Sequence, residues 1–282
     1  MSSESNPWQA WIGRTEQHVD VLNAAPLAAW SATLDRDDPP PTAGNLLPPL
    51  AHWLYFLKMA RTSELGPDGH PKRGGFLPPV PLPRRMWAGG RLAFLRPLYV
   101  GDTITRVSRI TDITTKTGRT GALVFVSVNH ELSGDTGRAL TEEHHIVYRD
   151  PPAADAPAAK PAPAPVDEDF VREIVPDPVL LFRYSALTYN GHRIHYDRNY
   201  VTEVEGYPGL IVHGPLIATL LLDLLRRQRP EANVTRFEFK AVAPLFDIHT
   251  FSICGKEEGP GRWRLWARDH AGALAMQALA VV

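Results

Sequence analysis

LIVHGPLIATLLLDLLRRQ, residues 210–228, is the longest apolar run in the chain. Pro215 suits a first helical turn, where its missing N–H would have had no partner anyway, and Arg226 and Arg227 close the run where a helix dipole is negative. The spacing predicts one helix over 215–228, apolar on nearly every side and therefore buried. His213 and Asp223 interrupt the run, leaving it too short and too polar to span a bilayer. The segments RFEFKAVAPLFDIHTFSICGKE, GRWRLWARDH and GALAMQALAVV follow, alternating or running apolar between glycine-containing turns, which is the pattern of antiparallel strands. One buried helix followed by such strands reads as a helix wrapped by a curved sheet.

The first half of the chain repeats this order. PPLAHWLYFLKMAR, residues 48–61, opens with prolines and closes with Lys58 and Arg61, so a matching helix is expected there. GRLAFLRPLYVGDTITRVSRITDI, GALVFVSVNHELS and ALTEEHHIVYRD supply the strands, and Arg96-Pro97-Leu98-Tyr99 answers Ala243-Pro244-Leu245-Phe246. An offset of about 147 residues is too long for a solenoid unit and fits a duplicated domain. Between the halves, PPAADAPAAKPAPAP (151–165) holds almost nothing but proline and alanine and cannot build a core. The expectation is an α+β, double hot-dog chain: domain 1–150, linker 151–165, domain 166–282, with the two sheets pairing edge to edge. The loop 62–84, TSELGPDGHPKRGGFLPPVPLPR, interrupts the first half at a length typical of lids and binding loops.

Composition narrows the function. Of 282 residues, 44% are hydrophobic and 22% charged, with a formal net charge of −1, so no basic field exists to hold nucleic acid. The first twenty residues carry neither a basic n-region nor an apolar run, and a cytoplasmic protein without membrane attachment is expected. The single cysteine, Cys254, rules out an internal disulfide and sits in an alternating strand pattern with no basic neighbour, which points to core packing.

The chemistry concentrates in residues 181–225. Asn190 and His195 lie five apart in a segment just before the buried helix, whose start is His213-Gly214-Pro215. A histidine titrating near neutrality serves as base and, once charged, as acid. A glycine at a helix start offers unpaired N–H groups and the positive end of the dipole, suited to an oxyanion. Together they meet the needs of water addition to an α,β-unsaturated thioester: a base for water, an acid for Cα, and positive potential at the thioester oxygen.

The segment Thr188-Tyr189-Asn190-Gly191-His192-Arg193-Ile194-His195-Tyr196-Asp197, followed by Ile211-Val212-His213-Gly214, resembles the hydratase motif of the MaoC-like (R)-specific enoyl-CoA hydratases, S-G-D-x-N-P-I-H-x-D with a later I-V-H-G. The YNGHRIHYD form with RRMWAGGR upstream (84–91) is similar to the mesaconyl-C4-CoA and itaconyl-CoA hydratases and the hydroxyacyl-thioester dehydratases type 2, over nearly the whole chain. The resemblance implies a hydro-lyase acting reversibly on an acyl-CoA, with no cofactor and no metal, His195 as catalytic histidine and Gly214 as the helix-start glycine. Asn190 stands where the family carries a catalytic aspartate; an amide holds water but cannot take its proton, which leaves His195 as the titrating residue of the pair. Homodimers are common among hot-dog proteins, so a homodimer is a reasonable expectation.

Further candidates surround this motif. His213 and His192 flank it, each able to cap or pack instead, and Thr219 lies one turn into the helix, where a bond to its own backbone is the plain alternative. Arg183 and Arg193 suit bidentate capture of a carboxylate on the acyl chain, although exposure to solvent or to a CoA phosphate explains them equally. Arg84 and Arg85, with Lys72 and Arg73 in the long loop, are the cations placed to meet CoA phosphates. Glu142-Glu143-His144-His145 suggests a metal, but strand alternation splits these side chains between faces. The first half shows no N-x-x-x-x-H before its expected helix, and AWSATLDRDDPPPTAGNLLPP holds no histidine, so one active site per chain is expected. The rival functions are a dehydratase of ordinary fatty 3-hydroxyacyl thioesters, a thioesterase, and a non-catalytic acyl-thioester binding module.

Overall fold

The computed structural model describes residues 7–118, 121–151 and 161–282. Ten antiparallel strands form one sheet in the order β1-β3-β4-β5-β2-β7-β10-β9-β8-β6. The first five are Thr15–Val21, Arg84–Phe94, Thr103–Gly118, Gly121–Gly134 and Gly137–Arg149; the second five are Phe170–Ile174, Arg236–Ala241, Phe251–Gly259, Arg262–Arg268 and Leu274–Val281. Counted outward from the centre, the order is the same on both sides, so β1 to β5 correspond one by one to β6 to β10. The halves join where β2 pairs with β7, from Gly89 opposite Lys240 to Ala93 opposite Arg236, and this seam covers an edge of each. A bulge between Trp87 and Gly89 bends β2 there, and a Cβ on Gly89 would stand 2.5 Å from the Phe239 carbonyl oxygen.

The repeat extends to its connections. Leu47 N–H donates to the Leu98 carbonyl at 2.8 Å, as Val212 N–H does to Leu245 at 2.9 Å, so the sequence match at 96–99 and 243–246 marks equivalent places in the fold. Three α-helices lie among the described residues, α1 Ala24–Thr33, α2 Pro178–Leu187 and α3 Gly214–Gln228, beside short 3₁₀ turns and one π-helical turn, Tyr200–Val204. As its apolar composition demands, α3 is buried from Leu216 to Leu225, lying against β8, β9 and β10. Both α1 and α2, with the edge strands β1 and β6, carry weaker patterns and were not anticipated; α2 is started by Asp177, whose Oδ1 accepts from the N–H groups of Val179 and Leu180.

The helix expected over 48–61 does not form. Only a 3₁₀ turn, Ala51–Leu54, is present, bounded by Leu50 and Phe56 with left-handed φ of 70° and 57°. Its own N–H groups close i→i−3 bonds, Ala51 to Pro48, Trp53 to Leu50 and Tyr55 to His52, while one further backbone donor and two side chains are taken by carboxylates on the strands. Phe56 N–H donates to Asp20 at 2.7 Å, Trp53 Nε1–H to Glu142 at 2.8 Å and His52 Nε2–H to Glu142 at 3.0 Å. The 62–84 loop packs onto the first-half strands through fully buried Val80, which clusters with Ile110, Val126 and Tyr148. Of the expected linker, residues 152–160 lie outside the described residues. Its end is docked on the second half, where Ala164 N–H donates to Gly272 and Leu274 N–H to Ala162. Cys254 is buried, and burial pushes its thiol up to about 11, as core packing requires.

Candidate active site

Helix α2 ends in a Schellman turn: Asn190 N–H donates to Ser185 O at 2.8 Å and Tyr189 N–H to Ala186 O at 3.3 Å. The residue in the left-handed position, where glycine is usual, is Tyr189 with φ 50°. This turn launches the chain toward a 3₁₀ turn, Arg193–His195, and Asn190 Oδ1 fixes the approach to it in an Asx turn, accepting from His192 N–H at 3.0 Å. The Asn190 carbonyl oxygen is thereby engaged, leaving its NH2 to meet water or substrate.

His195 is buried, and its Nδ1 lies 2.7 Å from the Ile211 carbonyl oxygen. A carbonyl only accepts, so the proton is on Nδ1 and the neutral ring presents a bare Nε2. Burial pushes the pKa of His195 down to about 4, against the opposing hydrogen bond to Ile211, with His70 lowering it further. Its ring stacks on His213, centroids 3.7 Å apart at 18°. His213 occupies the N-cap position of α3, and its Nε2 meets Ser185 Oγ at 2.8 Å. No side chain caps the α3 N-terminus, so the first-turn N–H groups, Gly214 among them, are free of a side-chain partner. The imidazole and the helix mouth predicted from sequence are thus brought together. Thr219 is buried beside Tyr184 without a well-formed hydrogen bond from its hydroxyl.

The cations are distributed differently from the sequence expectation. Arg193 binds Asp197 through Nε and Nη2 at 3.0 and 2.8 Å, and its Nη1 donates to the Pro67 carbonyl, so it clamps the lid rather than awaiting a carboxylate. Arg183 lies on the exposed face of α2, in a groove with Ala32, Asp35 and Arg172 that His195 does not line. Arg84 pairs with Glu205 and Arg73 donates to the carbonyls of Val80, Leu82 and Pro83, so both serve the lid and its neighbours. Lys72 is exposed with its Nζ on Ser63 O. Arg85 stands opposite Tyr148, and burial pushes the Tyr148 hydroxyl up in pKa against the nearby Arg85 charge.

Two residues that dock on the motif were missed because they sit in the proline-rich loop, whose sequence carries no periodicity. Asp68 and His70 dock against the motif: Arg193 N–H donates to Asp68 O at 2.9 Å, and the His70 ring lies 4.0 Å from that of His192. The approach is backbone to backbone, since a Cβ on Gly69, at φ 86°, would stand 1.9 Å from Gly191 O. Asp68 Oδ2 accepts from His70 Nδ1 at 3.1 Å, and His192 in turn meets the His195 ring edge-on at 5.5 Å. Burial, with His70 and His195 nearby, pushes His192 down to about 2. Asp68, His70 and His192 each bring a donor atom within 4.8 Å of the others. That set could take a divalent cation, yet the positive charges of Arg85 and Arg73 act on His70 and oppose one.

Glu142 and His144 of the EEHH run face inward together, whereas Glu143 pairs with His145 on the other side. Glu142 accepts from His52, Trp53 and His144; burial would push its pKa up, but His144 and His52 hold it well below the usual carboxylate range. The Trp87 ring, 3.9 Å from that of His144, connects this network to the mouth of α3, where its carbonyl oxygen would be 3.8 Å from a Cβ on Gly214.

Known proteins share this architecture. The model of the family described as hydroxyacyl-thioester dehydratase type 2 matches residues 50–247. A mesaconyl-C(4)-CoA hydratase of Chloroflexus aurantiacus is 48% identical over 277 residues, 97% of each chain. The mitochondrial hydroxyacyl-thioester dehydratase type 2 of Schizosaccharomyces pombe is 28% identical over 85% of this chain and 89% of its own. Among solved structures, a MaoC-like dehydratase superposes with a TM-score of 0.68 at 16% identity, over 96% of this chain and 98% of that one. A Mycobacterium tuberculosis protein described as a double hotdog fold superposes at 0.57 and 16% identity, over 96% of each chain. With its two hot-dog halves, its His195 beside the start of α3 and these likenesses, the chain belongs to the hydroxyacyl-thioester dehydratase type 2 family, whose members are MaoC-like hydratases and dehydratases.

Proposed function

We propose that the protein catalyses the reversible hydration of a short, branched, dicarboxylic 2-enoyl-CoA such as mesaconyl-C4-CoA. The observation that carries this reading is the bare Nε2 of His195 beside the uncapped start of α3. His195 Nε2 takes a proton from water as the oxygen attacks Cβ. Charge then gathers on the thioester oxygen, where the α3 N-terminus and the Gly214 N–H stabilise it. The imidazolium returns its proton to Cα, so one water is added across the double bond and no cofactor enters; CoA is part of the substrate. Asn190, with its oxygen engaged, offers its NH2 to orient the water.

The similarity to a mesaconyl-C(4)-CoA hydratase at 48% identity supports the acyl group chosen here. Dehydration of ordinary fatty 3-hydroxyacyl thioesters is the second reading, favoured by the 28% identity to the fission yeast dehydratase. Following the enoyl-thioester absorbance with mesaconyl-, itaconyl- and crotonyl-CoA separates them. The proposal expects mesaconyl-CoA to be consumed fastest, and His195→Ala to lower turnover by roughly 10²–10⁴. Asn190→Asp should keep measurable activity. Undiminished hydration by the His195 variant overturns the assignment.

A further inference from the structure

We propose that Arg85 and the lid histidine His70 together recognise a carboxylate carried on the acyl chain of the substrate. This deepens the functional reading above and rests on it. A carboxylate attached at Cβ lies one bond from the atom that water attacks, so its receptor must adjoin the catalytic base. A route from lid to base runs through rings in contact: His70 on His192 at 4.0 Å, and His192 on His195 at 5.5 Å. Arg85 stands under the same loop, opposite Tyr148, over whose ring Arg73 of the loop lies at 5.7 Å, and its charge adds to burial in lowering the pKa of both His70 and His192.

Pairing selects Arg85 from the neighbouring arginines. Arg193 is held by Asp197, Arg84 by Glu205, and Arg73 by three carbonyls. Among the described residues Arg85 has no carboxylate partner, so a partly buried guanidinium beneath the loop that carries His70 lacks an anion. A planar fork of N–H donors fits a carboxylate. His70 completes the receptor. Asp68 receives its Nδ1–H and fixes the ring, which turns Nε2 away from Asp68. With a second carboxylate bound there, His70 is an imidazolium held between two anions and its Nε2–H donates. Because His70 belongs to the 62–84 loop, the carboxylate would also tie the lid to the motif, adding to the clamp that Arg193 makes with Pro67 and Asp68.

The test compares kcat/KM for mesaconyl-C4-CoA and crotonyl-CoA in the wild type, Arg85→Gln, Arg85→Ala and His70→Ala. Arg183→Ala, in its separate groove, is the control. Each substitution at Arg85 or His70 should lower kcat/KM for the dicarboxylic substrate by roughly 30- to 100-fold, chiefly through KM, and change crotonyl-CoA by less than about threefold. Guanidinium ion added to Arg85→Ala should restore mesaconyl-C4-CoA hydration, and sodium chloride should not. Calorimetry with methylsuccinyl-CoA and butyryl-CoA makes the same comparison without turnover, so a wild type inert to crotonyl-CoA still yields a result. Equal losses on both substrates, or an unchanged preference, would overturn the proposal while leaving hydration intact. A wild type that hydrates no enoyl-CoA would instead bring down the functional reading beneath it.

Discussion

His195 combines a fixed tautomer with a low proton affinity, and both properties come from burial. The Ile211 carbonyl holds the proton on Nδ1, and desolvation brings the pKa to about 4, below the usual 6.5 of histidine. A base must be unprotonated to act, so kcat/KM should be level through neutral pH and fall on the acid side with an apparent pKa near 4. An acid limb near 6.5 would show that His195 is solvated in the free enzyme or is not the base. The same shift bears on stability. Between pH 6.5 and 4 the unfolded chain binds the proton that folded His195 refuses, and His192, held at about 2, acts in the same direction. The stability lost as pH falls through this window should appear as a declining Tm above the range where carboxylates titrate, and a flat Tm there would contradict the assigned burial.

Helix α2 and the turn after it aim the site, and they do so under strain. A left-handed conformation costs an L-residue roughly 1–2 kcal/mol, and Tyr189, largely exposed, recovers little of that by packing. Tyr189→Gly is expected to raise unfolding free energy by about 1 kcal/mol, read as a higher denaturant midpoint at constant m. A loss of stability in that variant would mean the Tyr189 side chain makes contacts worth more than the strain. The 48–61 segment shows the opposite balance. Its prolines and terminal cations have the marks of a helix, yet Asp20 and Glu142, brought from distant strands, take the donors of His52, Trp53 and Phe56. Local propensity is a weak prior when buried carboxylates need partners.

Across the whole molecule, the halves are joined by more than the β2–β7 seam. Asp223 on α3 is buried with its carboxylate on Arg36 at 2.8 Å, Arg227 at 2.7 Å and Arg172 at 3.2 Å. Arg36 belongs to the first half and Arg172 to β6. Removing one member of a buried ion network strands the others, at a cost of roughly 3–5 kcal/mol. Asp223→Ala is therefore expected to lower stability by about that amount, with both halves melting in one transition by far- and near-UV circular dichroism. Separate transitions would show that the halves fold independently.

Much of this was legible along the chain because it depends on patterns of short range. The all-round apolar composition of 215–228, the alternation of the strands, the duplicated Pro-Leu turns and the YNGHRIHYD to IVHG spacing each need only neighbours to be read, and each found its place. What lay beyond reach was any feature whose partner is remote. The fate of 48–61 was settled by two carboxylates from other strands, and the roles of Arg193 and Arg183 by which groups happened to face them. Asp68 and His70 acquired meaning only when Gly69 let the lid backbone touch Gly191. A pattern reports what a segment prefers, whereas charges and hydrogen-bond donors are satisfied wherever the fold brings a partner, and that choice belongs to the tertiary structure.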